Sequence, residues 1–235
     1  AKTGMFDVLE KISVPVKSNY PVTMEDIGQN YGYILYRTHI RDNETVKEIR
    51  LEGAGDRVQA YHNDEFLHTF FAENIWEKAE FSDRSSGGVI DLLCENTGRE
   101  NFGTGLEKQR KGIADGVKIN DHRQFGYEIY PLPLDESQIE KLDFNSGYSD
   151  GVPAFYKFEF ETDELYDTFL DTDGFGKGVA FINGFNLGRF WEIGPQKRLY
   201  IPAPLLKKGR NTIVIFETEG RSADSICLCE EADLG

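Results

Sequence analysis

The chain repeats itself. Tyr33-Ile34-Leu35-Tyr36-Arg37 lies over Pro153-Ala154-Phe155-Tyr156-Lys157, so that Tyr36 falls on Tyr156, 120 positions further on. The same offset carries residues 58–70 onto 178–190, with Asn63 on Asn183 and Phe70 on Phe190. Glu95-Asn96-Thr97-Gly98-Arg99 then lies over Glu217-Thr218-Glu219-Gly220-Arg221 at an offset of 122. Matches that keep their order and spacing over so long a stretch mark two tandem copies of one domain, so the fold has to be one that this chain can build twice.

Each copy reads as β. Ile34, Tyr36, Thr38 and Ile40 alternate with Leu35, Arg37 and His39, the period-2 pattern of a strand with one dry face. Residues 155–161 alternate in the same way. Asn183-Gly184, between residues 179–182 and 185–191, supplies the two positive-φ positions of a type I′ hairpin turn. Asn63-Asp64 is a weaker form of that turn at the matching place. Each copy closes on an apolar run, Val89-Ile90-Asp91-Leu92-Leu93-Cys94 and Thr212-Ile213-Val214-Ile215-Phe216. Short strands joined by Gly-rich turns predict an all-β chain of two jelly-roll β-sandwiches.

A length of 235 residues divides into two units of about 110, a comfortable size for a sandwich core. The repeat sets the expected domains at residues 21–126 and 127–235. Residues 1–20 fit neither copy. Met5, Val8, Leu9 and Ile12 recur at helical spacing, with Thr3 as a cap and Pro15 as a stop, which predicts a short helix or linker. The alternative is that residues 1–20 complete the second sandwich. A net charge of −15 repels phosphate backbones and anionic lipid surfaces, so neither nucleic acid nor membrane is an expected partner. Cys94, Cys227 and Cys229 are an odd count and are read as reduced core residues, which favours a reducing, cytoplasmic setting. Cys227 and Cys229 would share one face of a strand, too few ligands for zinc.

No catalytic constellation emerges. The four histidines are scattered, none beside a nucleophile motif and no pair at metal-ligand spacing. There is no Gly-rich phosphate loop. Among 41 acidic residues, sequence alone selects no general acid and partner. No catalytic residue, metal or cofactor is expected in this chain.

Three blocks carry a resemblance to a known family. Residues 28–38, residues 95–103 and above all residues 179–191 with Gly194-Pro195-Gln196 resemble the carboxy-terminal region of glycoside hydrolase family 35 β-galactosidases, in that family's order. The resemblance implies tandem galactose-binding-domain-like sandwiches that follow an amino-terminal (β/α)₈ barrel bearing two catalytic glutamates. Such a barrel needs about 250 residues, so no residue here inherits a catalytic role. The implied partner is that barrel, with a homodimer as a further expectation and galactosides met only through the parent enzyme. The expected function is accessory: packing on the barrel and shaping its mouth. The alternative is an independent galactose-binding module.

After the Gly-Arg corner the copies diverge, the first running on as Glu100-Asn101-Phe102-Gly103 and the second as Ser222-Ala223-Asp224. We expect Arg99 to anchor the corner and Asn101 and Phe102 to face the implied barrel near its mouth, close to substrate, where an aromatic ring can lie against an apolar sugar face. Many members of the family carry tyrosine where this chain has Phe102, so stacking remains and a hydroxyl is lost. On this reading Phe102 is exposed; the alternative places it in the first core. Trp76 is a candidate sugar platform, and Trp191, in the repeated hairpin, is read as core.

Overall fold

The computed structural model of the chain describes every residue except 72, 73, 83, 84 and 234. In both copies the centre is a hairpin. Strands Arg57–His62 and Glu65–Phe71 turn at Asn63 (φ 51°) and Asp64 (φ 65°), and strands Lys177–Ile182 and Phe185–Trp191 turn at Asn183 (φ 50°) and Gly184 (φ 88°). Two successive left-handed residues match the right-handed twist of the flanking strands, as a type I′ turn requires. Each hairpin also bulges at the same place, between Ala60 and Tyr61 and between Ala180 and Phe181.

The first unit comprises Ser13–Leu134. Its six-stranded antiparallel sheet runs in the order Val16–Ser18, Tyr127–Leu132, Tyr33–Thr45, Ser86–Glu95, Arg57–His62, Glu65–Phe71. A four-stranded sheet runs His122–Arg123, Gly112–Ile119, Glu48–Gly55, Ala79–Glu80. Ile34, Tyr36, Leu92 and Val58 from the first sheet pack with Leu51, Ile113 and Val117 from the second, which makes the sandwich. The expected alternation fails at one end of the strand Tyr33–Thr45: Tyr33, Ile34, Leu35 and Tyr36 are all buried. Leu93, Tyr130 and Leu132 are buried as well, so this end of the sheet is dry on both faces.

The second unit comprises Ala1–Ile12 and Asp135–Gly235. Its five-stranded sheet runs Lys2–Gly4, Ala154–Thr162, Gly209–Glu217, Lys177–Ile182, Phe185–Trp191, and a three-stranded sheet runs Arg198–Ile201, Thr168–Asp171, Cys227–Cys229. Tyr156, Ile182, Phe190 and Ile215 pack with Leu170, Leu199 and Ile201.

Two boundaries differ from those drawn on the sequence. Tyr127–Leu132 pairs residue by residue with positions 33–38, which puts the division after Leu134 instead of after residue 126. Residues 1–20 split: Val16–Ser18 pairs with positions 127–129, whereas Lys2–Gly4 forms the edge of the second sheet against positions 154–156. The helix Met5–Ile12 forms and buries Met5, Val8, Leu9 and Ile12. Thr3 does not cap it. It lies in the edge strand, and its hydroxyl donates to the Gly147 carbonyl.

The pairing also revises the alignment of the repeat. Tyr36 stands opposite Leu92 and Val58 opposite Cys94, while Tyr156 stands opposite Ile215 and Gly178 opposite Glu217. Structurally, therefore, Glu217 takes the place of Cys94, and Thr218 that of Glu95. The two glutamates matched by sequence are one residue out of register, which in a strand turns a side chain to the opposite face.

Candidate functional site

In the first unit the chain leaves strand Ser86–Glu95 through a corner held by charged groups. Asp56 accepts a hydrogen bond from the Thr97 amide (2.8 Å) and pairs with Lys111 (2.6 Å). Arg99 pairs with Glu25, which also accepts from the Lys111 amide (3.0 Å). Partial burial raises the Glu25 pKa, but the hydrogen bonds from the Lys111 amide and Arg99 outweigh it and leave the carboxyl below its usual value. Beyond the corner, Glu100 and Gln109 tie the two ends of the loop together: the Glu100 amide donates to Gln109 Oε1 (3.1 Å), and Gln109 Nε2 donates to Glu100 Oε2 (3.0 Å). An open cleft of about 630 Å³ lies here, lined by Asp56, Arg99, Glu100, Gln109 and Lys111 among others.

Arg99 pairs with Glu25 at the corner, and Asn101 and Phe102 lie on the tied loop beyond it. Asn101 is exposed, and Phe102 is 91% exposed, the most exposed of the large apolar side chains described. Phe102 is not a core residue of the first sandwich. Trp76 is 63% exposed and does not line this cleft, so the structure does not bring it together with the corner residues.

The second unit builds its corner differently. Glu217 is fully buried and accepts from three backbone amides, Gly176 (3.1 Å), Glu219 (3.0 Å) and Arg221 (2.9 Å). Burial dominates those hydrogen bonds and pushes its pKa up to about 7. Arg221 forms a two-pronged ion pair with Glu192. Beside it lies a cleft of about 340 Å³ lined by Asp171, Asp173, Phe175, Trp191, Glu192 and Lys197 among others. Asp171 is held by Arg198 Nε (2.9 Å). Phe175 is buried and packs edge-on to Tyr156 and Phe190.

Trp191 is therefore not core. It is partly exposed, lines this cleft, and carries the ammonium of buried Lys177 over its ring at 4.7 Å. The sequence reading put Trp191 in the core because its hairpin is repeated in the first copy, yet Phe71 at the matching position is itself exposed. The cysteine reading is also revised. Only Cys94 is buried, while Cys227 is exposed and Cys229 partly so, because a three-residue strand at a sheet edge has too little sheet beside it to cover them. Among the described residues no three His, Cys, Asp or Glu side chains group as metal ligands, and no helix is long and apolar enough to cross a membrane.

Comparison with known proteins matches both units. Residues 21–133 match the family model of the β-galactosidase first all-β domain, and residues 153–211 that of the β-galactosidase galactose-binding domain. The chain is 34% identical to human β-galactosidase-1-like protein 2 over 99% of its own length but only 37% of that protein's. It is 32% identical to β-galactosidase 1 of Dictyostelium discoideum, covering 86% of this chain and 33% of that one. Identity to the β-galactosidase of Xanthomonas manihotis is also 32%, covering 82% of this chain and 32% of that protein. The chain thus spans about a third of the length of these relatives.

Proposed function

Because the chain belongs to the β-galactosidases, of which it carries the first all-β domain and the galactose-binding domain, we propose that it serves such an enzyme as its non-catalytic region. It packs on a catalytic barrel supplied by the rest of the protein and shapes the mouth of that barrel. The chemistry belongs to the barrel, where a retaining mechanism sets a nucleophile and an acid/base carboxyl about 5–5.5 Å apart. The loop carrying Asn101 and Phe102 is the part that meets substrate. The observation behind this reading is the 91% exposure of Phe102 on a loop held by the Arg99–Glu25 and Glu100–Gln109 contacts. Full burial of a phenylalanine is worth about 1.5–3 kcal/mol, so a bare ring on a tied loop suits a surface that something else covers. A reducing, cytoplasmic setting, consistent with three free cysteines, is part of the same proposal.

Two measurements test it. The isolated chain should release nothing from a chromogenic β-galactoside; turnover that survives purification and vanishes on mutating an acidic residue of this chain would overturn the reading. In the full-length enzyme, Phe102→Ala should lower kcat/KM for disaccharides about tenfold, the loss of one stacking contact, with the melting temperature unchanged. An unchanged kcat/KM would remove the loop from the substrate path.

A second reading, independent sugar binding, is favoured by the Trp191 cleft. An indole with ordered carboxylates and a lysine beside it suits the apolar face and hydroxyl rim of a pyranose. Titrating the isolated chain with galactose and lactose, followed by NMR, should move amides around residues 171–175 and 191–197, and Trp191→Ala should abolish the shifts. Shifts centred on Trp76 would relocate the platform there, and a flat titration would end the reading.

A further inference from the structure

Cys227 and Cys229 occupy alternate positions of the strand Cys227–Cys229, which is the edge of its three-stranded sheet. Alternate residues point to the same face, and the two sulfurs lie 3.8 Å apart. The neighbourhood is asymmetric. Cys227 is exposed. Cys229 is partly covered, points its thiol at Cys227 Sγ (3.8 Å) and lies 3.9 Å from Asp171 Oδ2. Partial burial, followed by that contact with Cys227, pushes the Cys229 thiol above its usual pKa. Metal binding is the weaker use of the pair: no third ligand completes a group among the described residues, and Asp171 is already engaged by Arg198.

We propose that Cys227 and Cys229 form a reactive dithiol that exchanges with small disulfides, such as oxidised glutathione, and closes on itself as a Cys-Xaa-Cys bridge. The exposed Cys227 gives up its proton and its thiolate attacks one sulfur of the small disulfide. That S–S bond breaks, one small thiolate leaves and takes up a proton, and a mixed disulfide remains on Cys227. Cys229 then loses its proton and attacks Cys227 Sγ, expelling the second small thiol. The two protein thiols are oxidised and the small disulfide is reduced to two thiols. Alternate strand residues are about 6.6 Å apart along the strand, near the upper limit for bridged Cα atoms, so closure contracts the strand. An edge strand can give in this way because only one side is paired, at Phe169 to Asp171. A bridge formed under strain is readily reduced again, which makes the site reversible. Cys94 is fully buried, and burial raises its pKa strongly, so it serves as an internal unreactive control.

The test equilibrates the chain with mixtures of oxidised and reduced glutathione, quenches with acid, alkylates the free thiols and reads intact and peptide masses. The expected result is a species lighter by two hydrogens, mapped to the peptide holding Cys227 and Cys229, rising with the proportion of oxidised glutathione and reversed by reduced glutathione. Cys229→Ser should stop at a glutathione adduct on Cys227, with Cys94 alkylated only after unfolding. A wild-type chain that accumulates the adduct without closing would overturn the proposal. So would one that stays fully reduced in the most oxidising mixture, or one that links to a second chain through Cys227.

Discussion

Glu95 and Glu217 end corresponding strands of the two units, yet they neutralise burial by different means. Glu95 stands opposite Arg57 in its sheet, with the guanidinium 3.7 Å away and both side chains almost wholly buried. Glu217 turns to the face that Cys94 occupies in the first copy and takes three backbone amides in place of a counter-ion. A one-residue change of register is enough to do this, since it reverses the face of every following side chain. The shared strands and hairpins persist because backbone pairing and core volume demand them. The corners are free to differ, and it is there that one copy presents Phe102 and the other frames Trp191.

The largest expected effect comes from forcing one copy's choice on the other. Gly178 occupies the register position of Val58, but a Cβ there would stand 1.8 Å from the Phe216 carbonyl oxygen. Gly178→Val should therefore cost at least about 3 kcal/mol and remove the thermal transition of the second unit while sparing that of the first. A stable variant would mean that the two hairpins pair alike. The glutamates are separated by pH. With a folded pKa near 7 against an ordinary 4.5, Glu217 binds its proton more tightly in the folded chain, so its contribution is intact below the unfolded value and is lost as pH rises from there through 7. Denaturant unfolding of the second unit should weaken over this window by up to about 3 kcal/mol, and Glu217→Gln should flatten the slope. An equal slope in both proteins would assign the titration to another group.

Smaller effects sharpen the hairpin and loop comparison. Asp64 holds φ 65° where the second copy has Gly184, so Asp64→Gly should stabilise the first unit by about 0.5 kcal/mol, readable as a raised midpoint in urea. Phe102→Ala in the isolated chain should shift stability by less than about 0.5 kcal/mol, because the ring is bare. A larger loss would mean that Phe102 packs on its own unit after all.

The all-β character, the duplication and both type I′ hairpins were legible in the sequence because they rest on local causes: alternation, Asn-Gly and Asn-Asp turn chemistry, and a constant offset between copies. The divergence that follows Arg99 singled out the loop, but it left Phe102 open between core and surface, and only the fold shows the ring exposed. Other features depend on partners far away in the chain and leave no local trace. Strand Tyr127–Leu132 joins the first unit only because it finds positions 33–38, and Lys2–Gly4 joins the second only because it finds positions 154–156. Trp191 at the end of its hairpin reads like any core aromatic until Asp171, Lys197 and Glu192 are folded around it. The Glu95 and Glu217 segments align by composition, yet pairing sets them one residue apart. Periodicity along a strand tells which residues share a face, and only the neighbouring strand decides which of the two faces is covered.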